Sequence, residues 1–216
     1  MFTSTQHDLD KAMEKKKSLS ERKREAILNA AVSVFQESGF QGASMDRIAE
    51  RAQVSKRTVY NHFTSKEALF IEITEQVWRK AMDATEFPYQ SDAPLAPQLT
   101  AIAEQELELL GSEGYIAMAR MVLAEYMLSP DLARQAMQKM QENEGGTKRW
   151  LKAAMADKRL IKVDPEFAAT QFMSQIKAFA FWPQIVGHAP NPTQAERREI
   201  VAAAVEMFLG RYGKSE

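Results

Sequence analysis

The stretch from Gly39 to Leu69 most constrains the fold of this chain, because three helix starts follow one another within it. Ser44 and Ser55 are good N-cap residues. Asp46 lies in the first turn of the helix that would follow Ser44, where the helix dipole favours an anion. Only a short turn, at Gln53–Val54, separates the first two helices. The spacing therefore predicts two short helices joined by that turn, followed by a third helix.

Capping signals also flank this stretch. Ser18 and Glu21 have the spacing of a capping box, and apolar residues follow them at helical spacing. Gly39 is expected to end this helix as a left-handed C-terminal residue. Thr64 and Glu67 form a second possible capping box, which would open a longer helix.

The remainder of the chain has a helical pattern throughout. Proline residues between 88 and 97 mark a connection, and helices are predicted over 97–110, 115–128, 131–158, 165–181 and 193–212. Gly145 and Gly146 either kink or split the longest of them, and Pro183 is expected to end the helix that runs to about residue 181. No run alternates as strands do, so the sequence predicts an all-α protein.

Composition excludes several classes of protein. The 216 residues include no cysteine, which removes disulfides and thiolate metal sites. No apolar run approaches the ~18 residues of a membrane span, and the N-terminus lacks a signal-type apolar stretch. We expect a soluble, cytoplasmic protein without a membrane association.

Charge is divided unevenly along the chain. Residues 1–66 hold 12 Lys and Arg against 8 Asp and Glu, a net charge of +4, whereas residues 67–216 carry −5. A basic end of this kind is typical of a nucleic-acid-binding region. Residues 1–17, with the basic run Lys15–Lys17, form either a disordered leader or an arm that touches DNA.

Three cations lie at helix starts, where the helix dipole favours anions. Lys56 and Arg57 fall in the first turn of the second short helix, and Lys66 repeats the pattern at the next helix. Each such cation costs about 0.3–1 kcal/mol in an isolated fold. A phosphate backbone would turn these penalties into attractions, which favours DNA as the partner over a merely solvated charged face.

The second short helix has the side chains that a DNA-reading helix needs. Arg57 can bind a guanine through two parallel hydrogen bonds, and Asn61, one turn later, can reach the same side. Tyr60 and His62, two residues apart, can contact phosphates on either side of a groove. The apolar residues of this helix, Val59 and Phe63, are expected to hold it to the core.

Taken together, residues 39–69 resemble the DNA-binding domain of the TetR family of bacterial regulators. The resemblance rests on G-x-x-x-x-S at Gly39–Ser44, I-A at Ile48–Ala49, V-S-x-x-T-x-Y-x-H-F at Val54–Phe63 and S-K-E-x-L at Ser65–Leu69. One departure is Gln53, where the family often has glycine; a left-handed non-glycine residue costs about 1–2 kcal/mol.

The resemblance implies an N-terminal three-helix helix-turn-helix DNA-binding domain over 18–66 and a C-terminal helical ligand-binding and dimerisation domain over 67–216. Family members bind double-stranded operator DNA as homodimers, usually as repressors that a small molecule releases. Thr58, Tyr60, His62 and Lys66 would then contact phosphates, and Lys56, Arg57 and Asn61 would read bases. The full candidate DNA-binding set is Ser44, Lys56, Arg57, Thr58, Tyr60, Asn61, His62 and Lys66.

Two apolar stripes in the last long helices are candidates for the dimer interface that the resemblance implies. Small residues such as Ala204 would let helices of two subunits approach closely. The alternative is that the same stripes form core within one subunit. The candidate interface residues are Phe167, Gln171, Ile200, Val201, Ala204, Val205 and Phe208.

Methionine and aromatic residues of the C-terminal region are candidates for a ligand site, since methionine makes adaptable apolar walls. Such a site would favour an apolar or aromatic ligand. Methionine at helical spacing is also common in a protein core, so this alternative stays open. The candidate lining is Trp78, Met82, Met118, Met121, Val122, Tyr126, Phe172 and Phe179.

No enzyme chemistry is indicated. The three histidines, His7, His62 and His188, lie in a tail, a short helix and a loop, and we find no Gly-rich phosphate cradle, metal-spaced cluster or nucleophile motif. We therefore expect no catalysis, cofactor or metal. The alternative to a ligand-released repressor is a dimeric DNA-binding regulator without a small-molecule effector, controlled by a protein partner or by concentration.

Overall fold

The computed structural model describes residues 18–84, 86–112, 114–141 and 144–214. They divide into two compact units between Ile73 and Thr74. The sequence-based boundary, between residues 66 and 67, falls near the start of the helix that contains this division. The leader of residues 1–17, with Lys15–Lys17 and His7, lies outside the described residues.

The first unit contains helices α1 (Leu19–Gly42), α2 (Met45–Arg51) and α3 (Lys56–His62) and the start of α4 (Lys66–Ala84). The predicted capping box at the start of α1 is present: Ser18 Oγ accepts from Glu21 N at 3.1 Å, and Glu21 Oε2 accepts from Ser18 N at 2.6 Å.

Gly39 interrupts the helical backbone where the sequence predicts, since its φ of +68° and ψ of 169° are non-helical. A further helical turn follows this kink, so α1 extends to Gly42. At the start of α4, Ser65 and not Thr64 is the cap, since Ser65 Oγ accepts from Ala68 N at 3.1 Å.

An aromatic cluster forms the centre of the first unit. The rings of Phe35, Phe40 and Phe70 lie 5.0 to 5.7 Å apart in tilted and edge-on arrangements. Val59 and Phe63, expected to hold α3 to the core, are 0% and 5% exposed. The sequence therefore identified the buried side of α3 correctly.

The second unit contains the remainder of α4 and a set of helices in the order expected from the sequence. Among the described residues it has no strand, only an isolated bridge between Leu160 and Gly213. The helices are α5 (Leu95–Gly111), α6 (Tyr115–Leu128), α7 (Pro130–Gln141), α8 (Gly146–Ala156), α9 (Pro165–Ala180), α10 (Trp182–Gly187) and α11 (Gln194–Tyr212).

Two features of the second unit resolve or correct the sequence-based pattern. The long helical pattern over 131–158 is split, because α7 and α8 are separate and Gly145 is the cap of α8. The helix before Pro183 ends at Ala180, as the sequence predicts, and Pro183 itself lies in the first turn of the additional short helix α10. Proline is tolerated there because the first turn does not need its missing N–H.

The core of the second unit lies between α5, α8, α9 and α11. Its largest fully buried side chains include Trp150, Phe172 and Phe208, and the rings of Phe172 and Phe208 meet edge-on at 5.2 Å. Buried Gln98 accepts from Trp150 Nε1 at 3.0 Å and donates to the carbonyl of Gln90 at 2.8 Å, which ties the incoming loop to this core.

Candidate nucleic-acid interface and C-terminal cavity

Helices α2 and α3 form a helix-turn-helix whose starts are capped as the sequence indicates. Ser44 Oγ accepts from Arg47 N at 3.3 Å, and Ser55 Oγ accepts from Thr58 N at 3.1 Å. These bonds satisfy N–H groups that the first turn of a helix leaves without partners. The role of Ser44 in the structure is therefore that of an N-cap.

The turn between α2 and α3 closes through a Schellman arrangement. Val54 N donates to Ala49 O and Gln53 N donates to Glu50 O, both at 3.1 Å. This arrangement requires a left-handed residue, and Gln53 occupies that position with φ +55°. The strain that the missing glycine indicates is present in the backbone.

A carboxylate between two arginines holds α2 to α1. Arg51 donates to both oxygens of Glu37, at 2.7 and 2.8 Å, and Arg47 lies 3.7 Å from the same carboxylate. The hydrogen bond from Arg51 is the largest cause of the lowered pKa of Glu37. This two-bond pairing links α2 to α1 at the surface of the first unit, beside the buried side chains Met45, Ile48 and Ala49 that pack α2 on the core.

The outer face of α3 is exposed and polar. Arg57 and Asn61 are exposed, Tyr60 is 45% exposed, and His62 is partly buried. Within the part of the chain that the structure describes, the Arg57 guanidinium has no hydrogen bond or ion pair. The Thr58 hydroxyl, in contrast, lies 2.8 Å from Ser55 Oγ.

Lys56 differs from Arg57 because its charge is already paired. Its Nζ lies 2.7 Å from Oδ1 of Asp46, in the first turn of α2. The hydrogen bond to Asp46 is the largest cause of the raised pKa of Lys56. The cost of this cation at a helix start is thus offset within the fold, and Lys56 alone does not require a DNA partner.

Lys66 also has partners within the first unit. Its Nζ donates to the carbonyls of Phe40, at 2.8 Å, and Ala43, at 3.3 Å. It also lies 4.3 Å from the centre of the Phe40 ring. The ammonium therefore satisfies carbonyl groups at the end of α1, a structural role that the sequence did not reveal.

Four of the seven candidate dimer residues are buried inside the second unit. Val201, Ala204, Val205 and Phe208 are 1% to 6% exposed and belong to its core, as the alternative interpretation has it. Phe167 and Gln171 are exposed, and Ile200 is partly exposed.

The exposed sides of α9 and α11 border an apolar groove with a volume of about 1070 Å³. Its walls include two candidate interface residues, the partly exposed Ile200 and the buried Ala204, together with several residues that the sequence did not single out. Met207 and Phe179 are 64% and 60% exposed there. The helical parts of its lining include Ser174, Ala178, Phe179, Ile200, Ala203 and Met207.

A cavity of about 640 Å³ lies in the same unit, and two of the eight candidate ligand residues, Trp78 and Met82, line it. Phe172 lies fully buried in the core, and Phe179 lines the groove instead. The other four candidates lie along α6 and are not among the residues that line this cavity: Met118, Met121, Val122 and Tyr126. Its other walls include Glu106, Tyr115, Met137, Thr147, Lys148, Glu166, Thr170, Met173 and Lys177.

Acidic and basic side chains lie in pairs along this cavity. Lys177 Nζ is 3.2 Å from Glu106 Oε1, and Glu106 is 5% exposed. Lys148 Nζ is 2.7 Å from Glu166 Oε2. Burial, and to a smaller extent the nearby Glu106 charge, raise the pKa of Tyr115 to about 12. Sequence reasoning missed these residues because their proximity depends on the packing of separate helices.

The described residues contain no group of His, Cys, Asp and Glu side chains that could hold a metal ion. None of the helices in the described ranges is both long enough and apolar enough to cross a membrane.

A capped helix-turn-helix with an exposed polar second helix, followed by a larger helical unit, defines a DNA-binding transcriptional regulator. Comparison with known families agrees. Residues 27–73 match the bacterial regulatory proteins of the tetR family, and residues 97–214 match the C-terminal domain of AefR-like transcriptional repressors. The chain belongs to the TetR family of transcriptional regulators, which are not enzymes.

Individual relatives have the same character. The chain is 30% identical to the HTH-type transcriptional regulator RutR of Escherichia coli K12 over 174 residues, and this match covers 76% of each chain. A TetR family regulator from Pseudomonas syringae pv. tomato DC3000 has a TM-score of 0.77 and 39% identity, covering 91% of this chain and all of that one. The flavonoid-responsive regulator FrrA has a TM-score of 0.75 and 28% identity, covering 90% and 99%.

Proposed function

We propose that this TetR-family regulator is a homodimeric repressor that leaves its operator when a small apolar or aromatic ligand binds. The observation that carries the DNA-binding part is the exposed face of α3. Arg57 and Asn61 lie on it one turn apart, and Arg57 has no partner in the described part of the fold. A guanidinium left unpaired at a helix start is stabilised when it binds a guanine.

The other DNA contacts follow from the exposure of their side chains. Tyr60 and His62 would donate to phosphates on either side of the groove, with Thr58 beside them. Lys56 would contact DNA only if its ammonium group were shared between Asp46 and a phosphate. Lys66 has two of its three donors on carbonyl groups, so at most one is left for a phosphate.

Dimerisation would use the groove between α9 and α11. Its walls are mainly apolar, and large exposed apolar patches are typical of interaction surfaces. Gln184 is 3% exposed and lines the groove, and its Oε1 has no hydrogen-bond partner in the described part of the chain. We therefore propose that the interface centres on the exposed residues Ala178, Phe179, Ala203 and Met207 and on Ile200, and not on the buried stripe.

The effector would bind in the cavity of about 640 Å³, a volume within the usual range of ligand pockets. Trp78 and three methionines supply adaptable apolar walls. That FrrA is described as flavonoid-responsive supports an aromatic effector for this chain as well.

Helix α4 is the element through which ligand and DNA binding would be coupled. Its first residue, Lys66, is bonded to the end of α1, and its later residues Trp78 and Met82 line the cavity. A ligand that favours a shifted α4 would move the α3 helices of the two subunits away from half-sites about 34–36 Å apart.

A library of small aromatic molecules tests the ligand part of this proposal. A true effector must raise the melting temperature by mass action and must also weaken binding of operator DNA in a gel-shift titration. If the library contains molecules that bind but none that weakens operator binding, the regulator without a small-molecule effector becomes the better account.

A charge in the groove tests the dimer. We expect Ala203→Glu to give a monomer in analytical ultracentrifugation and to weaken operator binding, because an unpaired carboxylate would be buried in the interface. Ala195→Glu, at an exposed position of α11 outside the groove, is the matched control and should stay dimeric. A dimeric Ala203→Glu variant would show that the subunits associate elsewhere.

A further inference from the structure

The cavity of about 640 Å³ holds acidic and basic side chains only as pairs among its described lining residues. Glu106 pairs with Lys177 at 3.2 Å, and Glu166 pairs with Lys148 at 2.7 Å. We propose that its ligand is an uncharged aromatic molecule that carries at least one hydroxyl group. This inference rests on the proposed function only in taking the cavity as the effector site.

The pairing of charges argues for a neutral ligand. An anionic ligand would have to draw Lys177 away from Glu106 or lie unpaired beside a carboxylate that is 5% exposed. A cationic ligand would compete with Lys177 for the same carboxylate. Either rearrangement leaves a charge without a partner in a poorly solvated place, which is strongly unfavourable. A neutral ligand leaves both pairs intact.

The apolar walls argue for an aromatic body. Trp78 is 39% exposed, so part of its ring is available to a bound molecule, and Met82, Met137 and Met173 surround the same space. Thioether sulfur makes favourable contacts with aromatic rings and adjusts to their shape. A planar ring system would therefore be held between polarisable side chains.

Two polar groups in the cavity lining, Glu106 and Tyr115, argue for a hydroxyl on the ligand. None of the other described residues forms a hydrogen bond with the Tyr115 hydroxyl, which lies in the electrostatic field of Glu106. The pKa of Tyr115, about 12, keeps this phenol protonated at neutral pH. A ligand hydroxyl can donate to the Glu106 carboxylate and accept from Tyr115, which uses both of its functions.

Three biphenyl probes separate these requirements. 4-Phenylphenol is neutral at pH 7.5 and has a hydroxyl, 4-methoxybiphenyl is neutral and cannot donate, and biphenyl-4-carboxylate is anionic. Isothermal titration of the full-length protein with each probe gives the three dissociation constants. We expect the phenol to bind at least tenfold more tightly than the carboxylate and several-fold more tightly than the methoxy compound.

Variants of the cavity residues then test whether Glu106 and Tyr115 cause these differences in affinity. Glu106→Gln leaves Lys177 unpaired, so the carboxylate should bind several-fold more tightly and the phenol more weakly than to the wild type. Tyr115→Phe should weaken both the phenol and the methoxy compound, because a hydroxyl oxygen and an ether oxygen can each accept from the Tyr115 hydroxyl. Glu86→Gln removes the carboxylate of another ion pair, 2.7 Å from Arg149 and outside the cavity lining, and should change none of the three constants.

The wild-type series decides the inference even if a variant fails to fold, which a melting curve would reveal. A carboxylate that binds as tightly as the phenol would overturn the neutral-ligand inference while leaving a ligand-responsive repressor in place. Failure of all three probes to bind would overturn the inference too. The proposed function is judged separately, by whether any library molecule releases operator DNA.

Discussion

The outer face of α3 and the cavity of the second unit differ in whether their cationic side chains are paired with carboxylates. On α3, Arg57 has no partner among the described residues, whereas the cavity pairs both of its lysines with carboxylates. A cation that the fold leaves unpaired can bind a polyanion without breaking anything. Charges that the fold has already paired favour a neutral ligand instead.

The same contrast divides the cations of the first unit. Lys56, Arg57 and Lys66 look alike in the sequence, since all three lie at helix starts. In the structure Lys56 pairs with Asp46, Lys66 binds two carbonyl groups, and only Arg57 of the three lacks a partner in the described chain. Their substitutions should therefore have different effects.

The largest effect is expected for Arg57→Ala. Loss of a bidentate contact to a guanine should cost about 1–3 kcal/mol, roughly a 5- to 150-fold loss of operator affinity, and should relax base preference at one position. Gel-shift titrations on operator variants measure both. Lys162→Ala, which removes an exposed cation from a loop of the second unit, is the control. Unchanged affinity in Arg57→Ala would remove the main support for α3 as the reading helix.

Lys66→Met should reduce stability more than it changes the salt dependence of DNA binding. It leaves two carbonyl groups at the end of α1 without their charged donor, which we expect to cost about 1.5 kcal/mol in a partly exposed site. Urea unfolding measures this cost. If stability is unchanged and the salt slope falls by about 0.9, Lys66 acts as a phosphate contact instead.

Gln53→Gly should stabilise the protein. Glycine adopts the left-handed conformation at φ +55° without a side-chain clash, so we expect a gain of about 1 kcal/mol in the free energy of unfolding. Gln41→Gly, at an exposed position in the last turn of α1, is the matched control and should be destabilising. A loss of stability in Gln53→Gly would mean that the glutamine side chain compensates for its backbone.

The smallest effect is expected for Asp46→Asn, which frees Lys56 from its ion pair. If the freed ammonium reaches a phosphate, the plot of log affinity against log salt should become steeper by about 0.9. The same measurement on Lys56→Ala should show little change from the wild type, because the paired lysine contributes little. Equal slopes in all three proteins would exclude Lys56 from the DNA contact.

Local signals explain what could be predicted from the sequence. The N-caps Ser18, Ser44 and Ser55 act on N–H groups within three residues, so their spacing is visible in the chain itself. The strained turn at Gln53 was visible for the same reason. The short helix containing Pro183 was missed because proline both ends helices and starts them.

Contacts between distant parts of the chain explain what could not be predicted. Lys66 and Phe40 are separated by 26 positions, and the Glu106–Lys177 pair joins two helices that are far apart in sequence. Apolar periodicity identified the stripe through Phe208 but could not tell a core from an interface, because both bury the same residues. The methionines of α6 fit a pocket in composition, yet packing placed others around the cavity.

Selection of genomic DNA fragments by the purified protein tests whether α3 of a dimeric regulator reads an operator. We expect the retained fragments to share a palindrome whose half-sites have centres about one helical turn apart, ~34–36 Å, with a guanine that loses its enrichment in Arg57→Ala. Fragments without a shared motif, or a motif that Arg57→Ala retains unchanged, would contradict this expectation.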